Sequence, residues 1–365
     1  MVRMLKKAVF PGKYVQGEGA VSELPTMLAA LGGRGLILAS SSVIGKVLPK
    51  SGLVPTEHGI LVEPFYGECC EEELTRLSDV IDHEHVDVLV GMGGGKTIDT
   101  AKIAADRANI PVIIVPTIAS TDAPTSGCAV LYTKEGVFIS VCYQKANPAA
   151  VLVDTSIIAR APARFLVAGM GDALSTWFEA RSCDRTRSAN ECGGLSTAAG
   201  LHIAKLCYDM LLEHGVQAKK ACEEQVVTPA LEHIVEANIL LSGLGFESAG
   251  LASAHSIHNG LTALDETHRY YHGEKVAFGV LAGLHLSDAS REEMETVYSF
   301  CEDVGLPTTF AAIGLENVSR ERLMIAAEKA CAPEQPIHHE EGTITPEGVL
   351  EAMLKADAMG KGRKV

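Results

Sequence analysis

The sequence predicts an α/β domain in the first part of the chain and an all-α domain in the second part. Short runs rich in β-branched residues alternate with helix-like patterns at first, and their continuous apolarity is typical of strands buried on both faces of a parallel sheet. After Pro162 the pattern changes to long helices without a convincing strand. A length of 365 residues also favours two domains over one. We therefore expect domains at residues 1–160 and 161–365.

The individual elements follow in an alternating order that is typical of an open α/β sheet. The segment 130–143 predicts an antiparallel hairpin that turns at Glu135-Gly136. Strands are predicted at residues 36–39, 60–62, 86–90, 112–115 and 151–153, with helices at 21–31, 71–81 and 97–109. In the second domain, helices are predicted at residues 163–182, 188–214, 220–245, 247–263 and 273–286.

The composition excludes several classes of partner. The chain has 31 Lys and Arg against 46 Asp and Glu, a formal net charge of −15, which repels nucleic-acid backbones and anionic lipid. Ten cysteines occur without any CxxC pair, which favours reduced thiols over a disulfide framework. The N-terminal segment shows no secretory signal, and no apolar run approaches the roughly 18–20 residues of a membrane span. We expect a cytoplasmic protein with no nucleic-acid or membrane partner.

The stretch VLVGMGGGKTIDTAKIAA predicts a strand, a glycine-rich loop and a helix. Gly94 and Gly95 allow a ligand to approach the backbone, and Lys96-Thr97 begins the helix. Backbone N–H groups and the positive helix end would then face an anion. The spacing is neither GxxxxGK[ST] nor GxGxxG, so the loop predicts a phosphate site without specifying the ligand. A tight turn that binds nothing stays open as an alternative.

A second loop, VPTIASTDAPTSGCAV, follows the next strand along the chain. It is rich in hydroxyl groups, including Thr117, Ser120 and Ser126, and it carries the carboxylate of Asp122. These residue types are also ordinary turn formers. Because the loop leaves the carboxyl end of a strand, it lies where open α/β sheets bind their ligands.

Four side chains of the helical part could serve a divalent metal. Asp172 lies in AGMGDALSTWFEA, His255 and His258 in SAHSIHNG, and His272 in YYHGEKVAFG. Carboxylate oxygen and imidazole nitrogen are ligands that zinc accepts. His255 and His258 are three residues apart, so a helix presents both on one side. Each histidine alone is more often a hydrogen-bonded core residue, so the spacing by itself leaves the metal hypothesis open.

Taken together, these segments resemble the iron-containing alcohol dehydrogenase family, in its glycerol-oxidising branch. The resemblance covers nearly the whole chain in the expected order and is carried by PGKYVQGEGA, GMGGGKTIDTAK, PTIASTDAPTS, GMGDALSTWFEA, AHSIHNG and YHGEKVAFG. It implies a dehydroquinate synthase-like fold, with a nucleotide-binding α/β domain, a helical metal-binding domain and an active site between them. It also implies a homo-oligomer.

The resemblance assigns the metal ligands to Asp172, His255 and His272. Relatives often have a further histidine four residues after the aspartate, where this chain has Thr176. Three protein ligands with an open position are typical of catalytic zinc, so the resemblance implies Zn²⁺ rather than iron. His258 matches a histidine that lies near the nicotinamide, so it is a catalytic candidate as a proton relay, and a purely structural role stays open.

The resemblance also implies the contacts with cofactor and substrate. Asp122 matches the residue that binds glycerol. Ser40 stands where relatives carry an aspartate that binds the adenosine ribose, so we expect NAD as the main cofactor and NADP as a weaker one. The other expected cofactor contacts are Gly94, Gly95, Lys96, Thr97, Asp99, Thr117, Ser120, Ser126, Cys128 and Tyr132.

The expected reaction is NAD-dependent oxidation of glycerol, or of a related vicinal diol, to the hydroxyketone by hydride transfer. The metal would lower the pKa of the bound alcohol, and the cofactor would take the hydride. Three alternatives stay open: a same-fold reductase of another small hydroxy compound, a dehydroquinate-synthase-like lyase and a catalytically silent NAD-binding protein. The lyase is disfavoured because only Arg269 and Lys275 supply positive charge near the predicted ligands.

Overall fold

The protein, described here by a computed structural model, forms two compact units that are not contiguous in sequence. One unit consists of Phe10–Leu166 with Lys220–Gly243, and the other of the segment through Val9, Val167–Lys219 and the chain from Leu244 onward. The structure describes residues 5–363. The first four residues, which belong to the segment inspected for a secretory signal, and the last two of the predicted helical domain lie outside this range. The domain boundary expected at residue 160 stays a prediction.

The first unit contains a parallel sheet of six strands and a separate hairpin. The strands are β1 (Tyr14–Gly17), β2 (Gly35–Ser40), β3 (Leu61–Phe65), β4 (Val88–Gly93), β5 (Val112–Pro116), β6 (Cys128–Tyr132), β7 (Phe138–Tyr143) and β8 (Ala150–Asp154). The sheet order is β1-β8-β5-β4-β2-β3, and β6 pairs with β7 in the hairpin. The helices of this part are α1 (Leu24–Leu31), α2 (Glu71–Glu84), α3 (Gly95–Ala108) and α4 (Thr155–Ala159).

The strands formed where continuous apolar runs predicted them, because both faces of the sheet are covered. Along β2, Ile37 lies in one apolar core and Leu36 and Leu38 lie in the other. The first core contains side chains of α1, and the second contains side chains of α2 and α3. A strand buried on both faces has no polar side to alternate with, which explains the pattern.

The strand order creates a point where the connections change direction. The chain leaves β2 for β3 on one side, returns to β4 and continues to β5 on the other side. This is the flavodoxin-like order, in which ligands bind in the crevice at the carboxyl ends of the two strands that flank the change. Here those strands are β2 and β4, which end at Ser40 and Gly93.

Helices make up the rest of the chain, as predicted. They are α5 (Ala163–Thr186), α6 (Ala198–Glu223), α7 (Pro229–Glu236), α8 (Ser242–Ala249), α9 (Ser253–Leu261), α10 (His272–Leu286), α11 (Arg291–Val304), α12 (Arg320–Ala330) and α13 (Pro346–Arg363). Within residues 5–363 no named strand follows β8. No helix of the described range has the length and apolarity to cross a bilayer.

Three predicted helices, 188–214, 220–245 and 247–263, were wrong in their extent. The helix α6 continues through residues 215–219, and residues 250–252 separate α8 from α9. Residues 188–197 are not helical, because the Asn190 side chain accepts hydrogen bonds from the backbone N–H groups of Cys192 and Gly194. The segment 220–245 is interrupted before Pro229, where the Thr228 hydroxyl accepts from the N–H of Leu231 and caps α7. These local side-chain hydrogen bonds interrupt the helix at positions where the surrounding sequence pattern is helical.

Candidate metal centre and cofactor loops

The three predicted metal ligands come together in the helical unit. Asp172 lies in α5, His255 in α9 and His272 at the start of α10, and one donor atom from each lies within 4.8 Å of the others. Asp172 Oδ1 is 3.0 Å from Nε2 of His272 and 3.5 Å from Nε2 of His255. Donors of a tetrahedral zinc ion with bonds of 2.0–2.1 Å are about 3.3 Å apart. The oxygen and nitrogen donors therefore fit a divalent metal in both chemistry and spacing.

Glycines let the three helices approach closely enough to form this cluster. A Cβ on Gly273, next to His272, would lie 1.8 Å from the carbonyl oxygen of Ala168 in α5. A Cβ on Gly171, next to Asp172, would lie 2.3 Å from the carbonyl oxygen of Gly273. Residues with a side chain do not fit at these positions, so the glycines of GMGD and HGEK set the distance between two of the predicted ligands.

The contact between α9 and α10 depends on glycine in the same way. A Cβ on Gly279 would lie 2.4 Å from the carbonyl oxygen of Ala254, the residue before His255. On its other side, α9 packs against α12, where a Cβ on Gly260 would lie 2.1 Å from the carbonyl oxygen of Ala326. The helix that carries His255 is thus fixed from both sides by direct backbone contact.

A buried carboxylate that sequence reasoning missed, Glu179, contacts His255. Glu179 Oε2 is 2.6 Å from Nδ1 of His255, and Oε1 accepts from the backbone N–H groups of Ala252 and His255, each at 2.9 Å. The side chain is only 1% exposed. Its position seven residues after Asp172, two turns along the same helix face, is a signal that could have identified it.

The charges of the cluster depend on one another. Burial alone would raise the pKa of Asp172, yet the adjacent His272 and His255 hold it well below its usual range. Burial opposes charge on His255, yet Glu179 and Asp172 raise its pKa well above the ordinary value. The buried carboxylates thus stabilise a positive charge at this point, whether it is a proton or a metal ion.

His258 lies beside the three predicted ligands and is not part of their cluster. Its Nε2 is 3.1 Å from Nδ1 of His272, and its Nδ1 is 3.0 Å from the side-chain oxygen of Asn259. Burial, followed by the nearby His272 and Lys275, lowers its pKa well below the ordinary value. The structure therefore connects His258 with the ligand set, while its place near the nicotinamide stays a prediction.

The glycine loop of the α/β unit has the predicted strand, loop and helix form. Gly94 precedes the first turn of α3 in an extended conformation and, as a glycine, has no side chain that could cap that turn. A Cβ on Gly94 would meet Ile118 at 2.9 Å, whereas the Cβ position of Gly95 has no atom within 4 Å. The half-exposed Lys96 ammonium lies 2.6 Å from Glu68 Oε2. The N–H groups of this turn are thus available to an anion, and a lysine lies beside them.

Thr97 and Asp99 are less accessible than the resemblance implies. Both are buried, and Asp99 Oδ2 accepts a hydrogen bond from the backbone N–H of Val130 at 3.2 Å. Burial raises the pKa of Asp99 to about 6, although the neighbouring Lys102 opposes this shift. The Asp99 side chain joins α3 to the hairpin, and direct contact with a cofactor stays a prediction.

Lys102, which sequence reasoning also missed, fixes the second loop by hydrogen bonds to its backbone. Its buried ammonium donates to the carbonyl oxygens of Ala123, Ser126 and Cys128, at 2.7, 3.0 and 2.6 Å. These bonds satisfy all three of its protons. Lys102 therefore fixes the backbone of two predicted cofactor contacts, the buried Ser126 and the half-buried Cys128.

Asp122 belongs to the same loop and is also held in place. Its Oδ2 accepts from the Ser242 hydroxyl at 2.8 Å, and both side chains are buried. Nearby, the Asn238 amide donates to the carbonyl oxygen of Ala119 at 3.0 Å. The carboxylate predicted to bind substrate is thus fixed by the segment Lys220–Gly243 of the same unit.

The remaining predicted contacts lie at strand ends around the loops. Ser40 ends β2 beside the glycine loop, since Ala39 is paired with Met92, and its hydroxyl is 3.0 Å from that of Ser42. Tyr132 ends β6, and burial raises its pKa to about 12. Thr117 follows β5 and is buried, whereas Ser120 is half-buried.

Comparison with known proteins assigns this architecture to a class. The sequence profile described as iron-containing alcohol dehydrogenase matches residues 11–155. A protein of Thermotoga maritima named glycerol dehydrogenase is 54% identical over 362 residues, 99% of both chains. One of Halobacterium salinarum named glycolaldehyde reductase is 42% identical over 358 residues, 96% of this chain and 97% of the other. The crystal structure of a probable glycerol dehydrogenase from Sinorhizobium meliloti has a TM-score of 0.92 and 46% identity, covering 98% of this chain and all of the other.

The chain belongs to the iron-containing alcohol dehydrogenase family. It is an oxidoreductase of a class that takes a nicotinamide cofactor and a metal, and within the family it resembles proteins named glycerol dehydrogenase. The resemblance and the fold expected from the sequence are confirmed.

Proposed function

We propose that the chain oxidises glycerol to dihydroxyacetone with NAD and a zinc ion. The observation that carries this proposal is the cluster of Asp172, His255 and His272, which offers one oxygen and two nitrogen donors at metal-ligand spacing. Three protein donors are typical of catalytic zinc sites, which keep a further position for water or substrate. The relatives named glycerol dehydrogenase support the substrate.

Each part of the site has a separate role in this reaction. A bound divalent metal supplies Lewis acidity, which lowers the pKa of an alcohol and polarises its oxygen. Asp122, a fixed carboxylate, accepts hydrogen bonds from the hydroxyl groups of the substrate. Gly94, Gly95 and Lys96 bind the pyrophosphate of NAD at the start of α3. NAD held by these residues would supply the hydride acceptor for the carbinol carbon, and loss of the hydroxyl proton would complete the oxidation to the ketone.

The direct test is a steady-state assay of chelated and metal-restored protein. We expect chelation to abolish glycerol oxidation and Zn²⁺ to restore it, with Fe²⁺ assayed in parallel to decide between the two metals. Glycerol, 1,2-propanediol and 2,3-butanediol are compared by kcat/KM with NAD and with NADP. Full activity of demonstrably metal-free protein would contradict the metal assignment, and no turnover of any diol would contradict the reaction.

A second candidate is the reduction of a small hydroxyaldehyde. It is favoured by the relative named glycolaldehyde reductase, which is 42% identical to this chain. The same residues would serve, because hydride transfer between a carbinol and a carbonyl is reversible. Comparing kcat/KM for glycolaldehyde with NADH and for glycerol with NAD, at one pH, distinguishes the two functions.

We further propose a cytoplasmic homo-oligomer. The outer strand of the hairpin, β7, supports self-association, because Phe138, Ile139, Val141 and Tyr143 are 42–59% exposed and the strand carries no charge. Natural monomers usually protect such an edge with charged residues. An Ile139→Lys, Val141→Glu variant should therefore have a lower mass by light scattering while still binding NADH. An unchanged mass would exclude this strand from the interface.

A further inference from the structure

Glu179 holds the helix that carries His255 and also the imidazole itself. One carboxylate oxygen accepts from the backbone N–H groups of Ala252 and His255, at the first turn of α9. The other is 2.6 Å from Nδ1 of His255. A single buried side chain thus fixes the backbone, the ring orientation and one ring nitrogen of a metal ligand.

The chemistry of the carboxylate determines which ring nitrogen is available to a metal. An ionised carboxylate is an acceptor only, so the Nδ1 atom that faces it must carry a proton. In the neutral ring the lone pair is then on Nε2, the atom that lies 3.5 Å from Asp172 Oδ1. Metal-binding histidines usually donate their second ring N–H to such a partner, which fixes the tautomer and increases ligand basicity.

We propose that Glu179 is a positioning residue that sets metal affinity by fixing His255 in the Nδ1-protonated form. This proposal rests on the proposed function, since it takes His255 as a ligand. Glu179 lies outside the cluster of donor atoms from Asp172, His255 and His272, and its oxygens bond to α9 and to the imidazole instead.

The same helix start offers a matched control. Glu340 is also buried, and it accepts from the N–H and the hydroxyl of Ser253 and from the hydroxyl of Ser182. It therefore supports the first turn of α9 as Glu179 does. Its oxygens bond to these serines and not to the imidazole, so Glu340→Gln removes a buried carboxylate without changing the partner of His255 Nδ1.

The decisive variant is Glu179→Gln, which keeps the shape of the side chain. The amide oxygen still accepts the two N–H groups of α9, so the helix start is retained. The amide NH₂ then faces Nδ1 of His255, which must become an acceptor, and the proton moves to Nε2. We expect Zn²⁺ affinity, measured by competition with a chelator, to fall roughly 10–100-fold, and the visible spectrum of the Co²⁺-loaded protein to change. Glu340→Gln should keep the wild-type affinity.

The outcomes separate this proposal from the function on which it rests. Wild-type affinity in a folded Glu179→Gln variant, or an equal loss in Glu340→Gln, would overturn the positioning role. If wild-type protein binds neither Zn²⁺ nor Co²⁺, the metal assignment fails instead. A measurement on zinc-loaded wild-type protein with ¹⁵N-labelled histidine does not depend on the folding of any variant. It should show one ring with a protonated, hydrogen-bonded Nδ1 and a metal-bound Nε2, and an unprotonated Nδ1 on His255 would refute the proposal.

Discussion

Replacing Gly273 by alanine is the smallest change that should separate the metal ligands. The new Cβ would lie 1.8 Å from the carbonyl oxygen of Ala168 and 2.9 Å from the amide nitrogen of Asp172. Both atoms are backbone, so no side chain can rotate away. A carbon and a carbonyl oxygen need about 3.3 Å, and therefore α10 and α5 must separate by about 1.5 Å at this point.

The displacement is large compared with what a metal site tolerates. His272 and Asp172 lie directly beside the two backbone contacts, and ligand distances must hold within about 0.2 Å. We expect activity to fall by about 100-fold or more, as is typical of a 1 Å error in a catalytic group. Overpacking against backbone on both helices should also cost about 3 kcal/mol of the free energy of unfolding, the upper end of the usual range.

Three measurements on one preparation test the prediction: zinc content, glycerol oxidation and NADH binding by fluorescence. NADH affinity should change little, because the glycine loop belongs to the other compact unit. Gly348→Ala is the control, since its Cβ would meet only the Thr345 hydroxyl at 3.5 Å, an ordinary contact near the start of α13. A Gly273→Ala protein with wild-type zinc content and activity would refute the argument that this glycine sets the distance between the ligands.

Three further substitutions test the α/β unit. Ser40→Asp should raise the ratio of kcat/KM for NAD over NADP at least about fivefold, because a carboxylate near the adenosine ribose repels a 2′-phosphate. An unchanged ratio would place Ser40 away from the ribose. Asp122→Asn keeps an acceptor for the Ser242 hydroxyl but removes the negative charge, so kcat/KM for glycerol should fall about 10–100-fold while NADH affinity is retained. Unchanged kcat/KM values for glycerol and the other diols would exclude Asp122 from the substrate site. Lys102→Met leaves three carbonyl oxygens of the second loop without their shared donor, so the Kd for NADH should rise while zinc content stays constant. Equal NADH binding by the variant and the wild-type protein would show that the second loop does not depend on this lysine.

The central strands of the sheet could be predicted from the sequence, because burial of apolar side chains dominates their stability. Strands β2, β4, β5 and β8 bury apolar side chains on both faces, so their sequences are continuous apolar runs that identify them. The edge strand β1 was missed, because YVQG is only half-buried and its pairing with β8 alone makes it a strand. The strand β1 depends on pairing with a segment that is distant in sequence, and the local sequence pattern holds no information about that pairing.

The candidate site divides in the same way. Residue type identified Asp172, His255, His258 and His272 as candidates, and the family resemblance selected Asp172, His255 and His272 as the predicted ligands. Lys102 could not be identified in this way, because a buried charged residue looks like a surface residue until its partners are known, and for Glu179 the only signal was its position seven residues after Asp172 on the same helix face. Lys102 lies in a helical pattern of alanines where a solvent-exposed lysine is the ordinary expectation, and its burial depends on carbonyl groups of another segment.

The face of α5 that carries Asp172 fits the proposed set of three metal ligands. Residues 172, 176 and 179 recur at the helical spacing, so one face supplies a ligand, then Thr176, then the carboxylate that orients His255. Thr176 is buried, and a Cβ on Gly245 of α8 would lie 2.4 Å from its methyl carbon. The position at which the resemblance implies a further histidine is thus a packing contact between two helices here. Under the proposed function, a methyl group at this point leaves three protein donors for a metal, the number that catalytic zinc sites use when they also bind substrate.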